Sequence, residues 1–168
     1  MMSILFGIGI GSYILFMRVR KFLNSKKEFE KVKEGRSFEV YDTSKKWAIF
    51  FIVAILFGIV GIVRFGFMEY SESNLAISIV VVLCFISEIF SAQIYRKVYY
   101  NNEAFFFDDK LIRYSNIKNF KKRNTPFATD VVLFSGDSIS VPTKPLLIIQ
   151  DLMVEQKNEK KKKKKEKK

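Results

Sequence analysis

The sequence predicts an α-helical membrane protein: three transmembrane helices, then a small C-terminal α+β cytoplasmic domain of about four short antiparallel strands and one helix. Three observations carry that prediction. Apolar residues gather in three long blocks while charges fill the segments between them. Basic residues flank those blocks. After Lys97 the continuous apolar pattern gives way to short runs bounded by turn residues. The expected division is a first transmembrane helix over 1–22, a cytoplasmic basic loop over 23–46 and a second transmembrane helix over 47–68. An extracytoplasmic loop over 69–74 and a third transmembrane helix over 75–97 follow. A small β-rich domain over 98–156 and a disordered lysine-rich tail over 157–168 complete the chain.

Composition narrows the function classes. The 168 residues carry net charge +12, from 29 Lys and Arg against 17 Asp and Glu. Such a balance points to nucleic acid or to an anionic membrane surface, and cations placed beside apolar blocks select the membrane. The single cysteine, Cys84, makes no internal disulfide, and no CxxC pair exists for metal or redox work. The sequence has no histidine, which removes the commonest general base and metal ligand. No cofactor is expected.

The first block, residues 1–17, has no charged side chain. A spanning helix needs roughly 20 residues to cross about 30 Å of hydrocarbon, so this one is expected to continue through Val19 and Phe22 with Arg18 snorkelling. A cleaved signal peptide carries its positive charge before the apolar stretch. Here Arg18, Arg20 and Lys21 follow it, the pattern of a retained anchor whose N-terminus lies outside. Residues 19–34 read either as a weak amphipathic helix on the inner surface, with Val19, Phe22, Leu23, Phe29 and Val32 on one face and Gly35 as its stop, or as a solvated charged hairpin.

The second block runs unbroken from Trp47 to Val63, and Phe65–Met68 extends it past Arg64. The third runs from Leu75 to Tyr95 and is interrupted by Glu88. Segment 18–46 has ten basic and five acidic residues, segment 64–74 one against two, and segment 96–168 eighteen against nine. The positive-inside rule therefore puts the first and last segments in the cytoplasm and 64–74 outside, in the cell membrane. Trp47 beside Lys45 and Lys46, and Tyr95, Tyr99 and Tyr100 around Arg96 and Lys97, read as interface aromatics.

In the last segment Phe105–Phe107 reads as a strand, Asp108-Asp109 as a turn, and Leu111–Tyr114 as a second strand with Ile117 out of phase. Val131–Phe134 and Ser138–Val141 flank Gly136-Asp137, expected to be a two-residue hairpin turn. Pro145 suits the first turn of a helix whose Leu146, Ile149, Leu152 and Met153 form one apolar stripe. So small a domain is marginal alone and is expected to lean on the membrane or on the first loop. The tail, nine lysines among residues 157–168, is expected to be disordered, with Lys160, Lys161, Lys162, Lys163, Lys164 and Lys165 contacting anionic lipid. It lacks the aromatic platforms and recognition helix that nucleic-acid binding uses, so no nucleic-acid partner is expected.

Phe105-Phe106-Phe107 followed by Ile112-Arg113-Tyr114-Ser115-Asn116-Ile117-Lys118 resembles the YobD-like family of uncharacterised three-span bacterial inner-membrane proteins, over about residues 83–153. The same stretch is similar, on fewer features, to bacterial pleckstrin-homology-like domains. The resemblance implies architecture and no activity.

The candidate sites follow from placement. Gly7-x-Gly9-x-Gly11 lies inside a span and follows no strand, so it reads as helix packing and not as a nucleotide loop; Gly58 and Gly61 read likewise. Glu88 is an intramembrane carboxylate and therefore a candidate functional residue. By helical rise it sits about 10 Å from the inner edge at Tyr95 and Arg64 about 25 Å from Trp47, so the two do not meet. Ser87, Ser91 and Gln93 are expected to be its nearer polar company. Asp108, Asp109, Asp130 and Asp137 read as turn residues, and no nucleophile elbow, P-loop or zinc helix is present. The expected function is that of a non-enzymatic accessory, regulatory or self-protection protein. Its cytoplasmic domain would bind a partner or the inner leaflet, and its other partners would be membrane lipids, another membrane protein or a second copy. The competing expectation is a small transporter component using Glu88.

Overall fold

The computed structural model describes residues 2–123 and 127–165; for residue 157 and residues 159–165 it describes the backbone alone. The chain divides into two compact units. One contains the residues up to Glu28 together with Asp42–Lys97, the other Phe29–Tyr41 together with the chain from Val98 onward.

Three long apolar helices build the first unit: α1 (Met2–Lys33), α2 (Ser44–Val63) and α3 (Glu72–Tyr95). A π-helical turn, Arg64–Met68, lengthens α2 to a 25-residue apolar rod. Near the start of α1 the Ser3 N–H donates to the Glu72 carboxylate at 3.1 Å, and further along Lys21 donates to the Tyr95 hydroxyl, so α1 and α3 run parallel. Gly61 abuts Ser78 and the Arg96 guanidinium lies over Trp47, so α2 runs antiparallel to both. Consecutive spans of one bilayer must alternate in this way.

The second unit holds two antiparallel sheets and a helix. The first sheet has the order β1 (Glu39–Asp42), β2 (Lys97–Tyr100), β3 (Ala104–Phe107), β4 (Lys110–Arg113), and the second β5 (Ile117–Lys122), β6 (Ala128–Leu133), β7 (Ser138–Pro142). Helix α4 (Thr143–Lys165) packs on β6 and β7, with Pro145 in its first turn and Leu146 and Ile149 buried. All four residues of β3 are buried, as a continuous apolar strand covered on both faces requires. Phe105 and Tyr114 stack on one face. On the other, Phe29 stacks on Tyr99 at 3.9 Å between centroids and packs on Phe106 and Phe38.

Several expectations need correction. The described residues form seven strands, not four. β1, β2 and β5 are short, charged or mixed with aromatics, and lack the clean alternation that marks a strand in sequence. Segment 23–46 is not a loop: α1 continues to Lys33, Gly35 adopts φ +73° beyond it, and β1 follows. Ile117 is out of phase because β4 has ended; a 3-10 turn, Tyr114–Asn116, separates it from β5. The β6–β7 loop is not the two-residue turn expected of Gly136-Asp137. Gly136 N–H donates to the Leu133 carbonyl at 3.1 Å, and Leu133 N–H to the Asp137 carbonyl at 2.9 Å. The loop is therefore 134–136, with Gly136 left-handed at φ +95° in its last place. By contrast, Asp108 and Asp109, at φ 47° and 64°, form a two-residue turn between paired Phe107 and Lys110. Residues 157–165, expected to be disordered, continue α4: Lys and Glu are good helix formers, and extending an existing helix needs no new nucleus. Residues 166–168 lie outside the described residues.

Because Phe29 covers the outer face of β3, Phe29→Ala is expected to cost about 2 kcal/mol. Hydrogen exchange on the full chain in detergent should show the β2 and β3 amides losing protection before those of β6. Unchanged β3 protection would refute the role.

Candidate functional site

The sequence-derived candidates in the helical unit lie along α3. A Cβ on Gly7 would stand 3.1 Å from Val80 and 3.4 Å from the Ala76 carbonyl, and one on Gly11 2.6–3.3 Å from three Leu83 atoms. A Cβ on Gly58 would meet Val82 at 2.6 Å, and one on Gly61 the Ser78 hydroxyl at 2.6 Å. These four glycines thus let α1 and α2 approach α3 closely, the device that replaces hydrophobic drive between helices in lipid. Gly9 is different: nothing lies within 4 Å of its would-be Cβ. On a helix it points away from its neighbours at 7 and 11, so the packing expected of it is absent. α3 presents mainly small residues in return: Ala76, Ser78, Ser87, Ser91 and Ala92 are buried. Ser78 and Ser87 satisfy their hydroxyls on the helix's own carbonyls, at Asn74 and Cys84.

Glu88 faces Arg18 at 3.7 Å. Arg64 is paired elsewhere, with Glu69 at 3.1 Å, as their difference in depth requires. The Arg18 partnership was legible in principle. Arg18 ends the first apolar block near the inner edge, and Glu88 lies about 10 Å from that edge by helical rise, so parallel helices bring them level. The two side chains remain 37% and 42% exposed within the protein, so the pair sits on the flank of the α1–α3 seam and not in a closed cavity.

At the same end of the helical unit, cations are held by specific partners. Arg96 lies 4.3 Å from the Trp47 ring centroid, and Lys21 4.7 Å from that of Tyr95. Lys97 pairs with Asp42 at 3.3 Å. Asp42 also accepts from the Ser44 N–H at 2.7 Å and the Ser44 hydroxyl at 2.6 Å, which caps the start of α2. Burial pushes the Asp42 carboxyl upward, but the Ser44 hydrogen bonds and the Lys97 charge outweigh it and hold the group below the ordinary carboxylate range. Thr43 N–H donates to the Arg96 carbonyl at 3.0 Å, closing the collar. Sequence reasoning singled out neither Asp42 nor this arrangement.

In the second unit the aspartates serve turns and strands. Asp108 and Asp109 form the β3–β4 turn, Asp137 accepts from Ser135 at 3.0 Å, and Asp130 pairs with Arg123 at 2.9 Å. Burial, then the neighbouring Tyr100, raises the Tyr114 hydroxyl well above the usual phenol range; it donates to the Asn101 carbonyl at 2.7 Å. Desolvation and Glu39 raise Tyr100 likewise. Among the described residues no group of three His, Cys, Asp or Glu side chains is placed to hold a metal. The side chains of residues 160–165, expected to contact lipid, lie outside the described residues.

No family model, curated protein or solved structure matches the chain.

The glycine contacts separate two neighbouring positions. Gly11→Ala is expected to lower stability in detergent by about 1–3 kcal/mol through overpacking on Leu83, and Gly9→Ala to leave it nearly unchanged. Equal melting shifts for the two variants would show that the seam does not depend on close approach.

Proposed function

We propose that this chain is a multi-pass cell-membrane protein, N-terminus outside and C-terminus in the cytoplasm. In this reading it is a non-enzymatic accessory, regulatory or self-protection protein whose second unit is an interaction module for the inner leaflet or a protein partner. One observation carries the reading. The apolar windows of the three helices are only 11%, 11% and 28% buried within the protein, so most of their apolar surface needs hydrocarbon around it. The orientation rests on charge: Arg18, Lys21, Arg96 and Lys97 collect at one end of the helices, Glu69 and Glu72 with Arg64 at the other. The two successive sheets followed by a helix suit the pleckstrin-homology-like resemblance and favour a binding module over a catalyst.

Accessibility labelling on a Cys84→Ser background tests the orientation. A cysteine at exposed Ser73 is expected to react with an impermeant reagent in intact cells, and one at exposed Ser37 only after permeabilisation. The opposite result would invert the topology.

The Arg18–Glu88 pair favours a structural use of Glu88 over transport. Arg18→Gln and Glu88→Gln are each expected to destabilise modestly, with a coupling of about 0.5–1 kcal/mol in a double-mutant cycle and little change in cellular phenotype. A Glu88→Gln variant with normal membrane levels that abolishes an ion flux in reconstituted vesicles would establish the transporter reading instead.

A further inference from the structure

One patch of the second unit combines apolar side chains turned outward with flanking cations. Phe127, just before β6, is 79% exposed, yet its backbone is fixed: its carbonyl accepts the Thr143 N–H at 3.1 Å, tying it to the start of α4. Lys144 is the next residue of α4, and Leu147, one turn on, is 57% exposed. Across the β5–β6 ladder Lys122 pairs with Thr129 and Lys121 with Asp130, which brings two exposed lysines to the same end of the sheet. Arg123 neutralises Asp130 there, so the acidic residue at this end does not cancel the lysines.

We propose that Phe127 and Leu147, flanked by Lys122 and Lys144, form a docking surface for anionic lipid headgroups of the bilayer that holds the helices. The site is distinct from the lysine-rich end of α4. Three features favour lipid over a protein groove. The apolar groups are turned to the surface. Cations outnumber acids around them: Lys122 and Lys144 flank the patch, Asp130 is paired with Arg123, and Asp151 lies one turn beyond Leu147. Long lysine stems cover apolar surface while their ammonium groups reach phosphates. Each cation near an anionic leaflet multiplies the bound population about fivefold, an attraction screened within about 10 Å at 0.1 M salt. The inference rests on the membrane reading above, and the experiment separates the two.

Trp47 is the single tryptophan. With Trp47→Phe as background, Phe127→Trp places a reporter at the patch, and Phe57→Trp a second on the exposed middle of α2. The full chain is reconstituted in nanodiscs of phosphatidylcholine, with or without phosphatidylglycerol, containing acyl-brominated lipid. The reporter at position 57 is expected to be quenched in both compositions; absence of that quenching would overturn the membrane reading itself. The reporter at position 127 is expected to be quenched several-fold more with phosphatidylglycerol. The excess should vanish on Lys122→Gln and Lys144→Gln together, or in 0.5 M salt. With position 57 quenched, three outcomes would each overturn the proposal. These are an unquenched position 127, quenching equal in both compositions and indifferent to the lysine changes, or shielding that follows protein concentration and so reports a second copy.

Discussion

The close approach of two helices to α3 is the constraint on which the helical unit depends. Between apolar helices in hydrocarbon there is little hydrophobic drive, because lipid tails are as apolar as leucine; contact area at short range must supply the attraction. Gly7 and Gly11 on one side and Gly58 and Gly61 on the other provide it, seating Val80, Leu83, Val82 and Ser78 of α3. Once Gly11 sits on Leu83, the register of two parallel rods is fixed, and Arg18 comes level with Glu88 as a consequence. The ion pair is thus a result of packing more than its cause. At the observed exposure it contributes modestly, and its main effect is to give a carboxylate and a guanidinium between apolar helices each other's company.

The second unit is governed by a different shortage. Four consecutive buried residues in β3 demand cover on both faces, and Tyr114 stacks on Phe105 on one of them. The remaining cover comes from Phe29 at the end of α1, helped by Phe38, and β1 extends the same sheet. Fewer than seventy residues rarely bury enough surface to be stable unaided. Recruiting 29–41 enlarges the core without lengthening the C-terminal segment.

The parts of this architecture that were legible are those with one dominant signal. Unbroken apolar blocks give the three helices; Phe105–Phe107 and the alternation of Ser138–Val141 give two strands; Asp108-Asp109 gives a turn. In the segment after the first block, the helical reading over 19–34 with Gly35 as its stop matches α1, which runs to Lys33; the partners of its apolar face were not legible. Phe29 belongs to a helical period, yet its partners, Tyr99 and Phe106, lie some seventy residues on, and no local pattern reports that. Gly136 was recognised as a turn residue, but its place within the loop depends on which strand residues pair, which composition does not encode. Among the candidate glycines, Gly7, Gly11, Gly58 and Gly61 lie close against α3 and Gly9 meets nothing within 4 Å. Gly9 differs because a helix carries residues i and i+2 to opposite sides.

The basic residues at this end of the helical unit fall into two groups by their contacts. Lys45 and Lys46 are exposed on the first turn of α2 and contribute to the charge count alone. Lys97, Arg96 and Lys21 each have a structural role as well. Lys97 balances the carboxylate that caps α2, Arg96 lies on Trp47, and Lys21 anchors Tyr95. Removing Lys45 and Lys46 would lower the positive charge at this end and leave the contacts of the helix ends intact. Removing Lys97 would also strip the counter-ion from Asp42, whose carboxylate holds the first N–H of α2. The same formal charge change therefore has unequal structural consequences, and a topology inverted by deleting the second group would be inverted partly by loosening the protein. In this chain, the charges at this end of the helices also fasten the helix ends together.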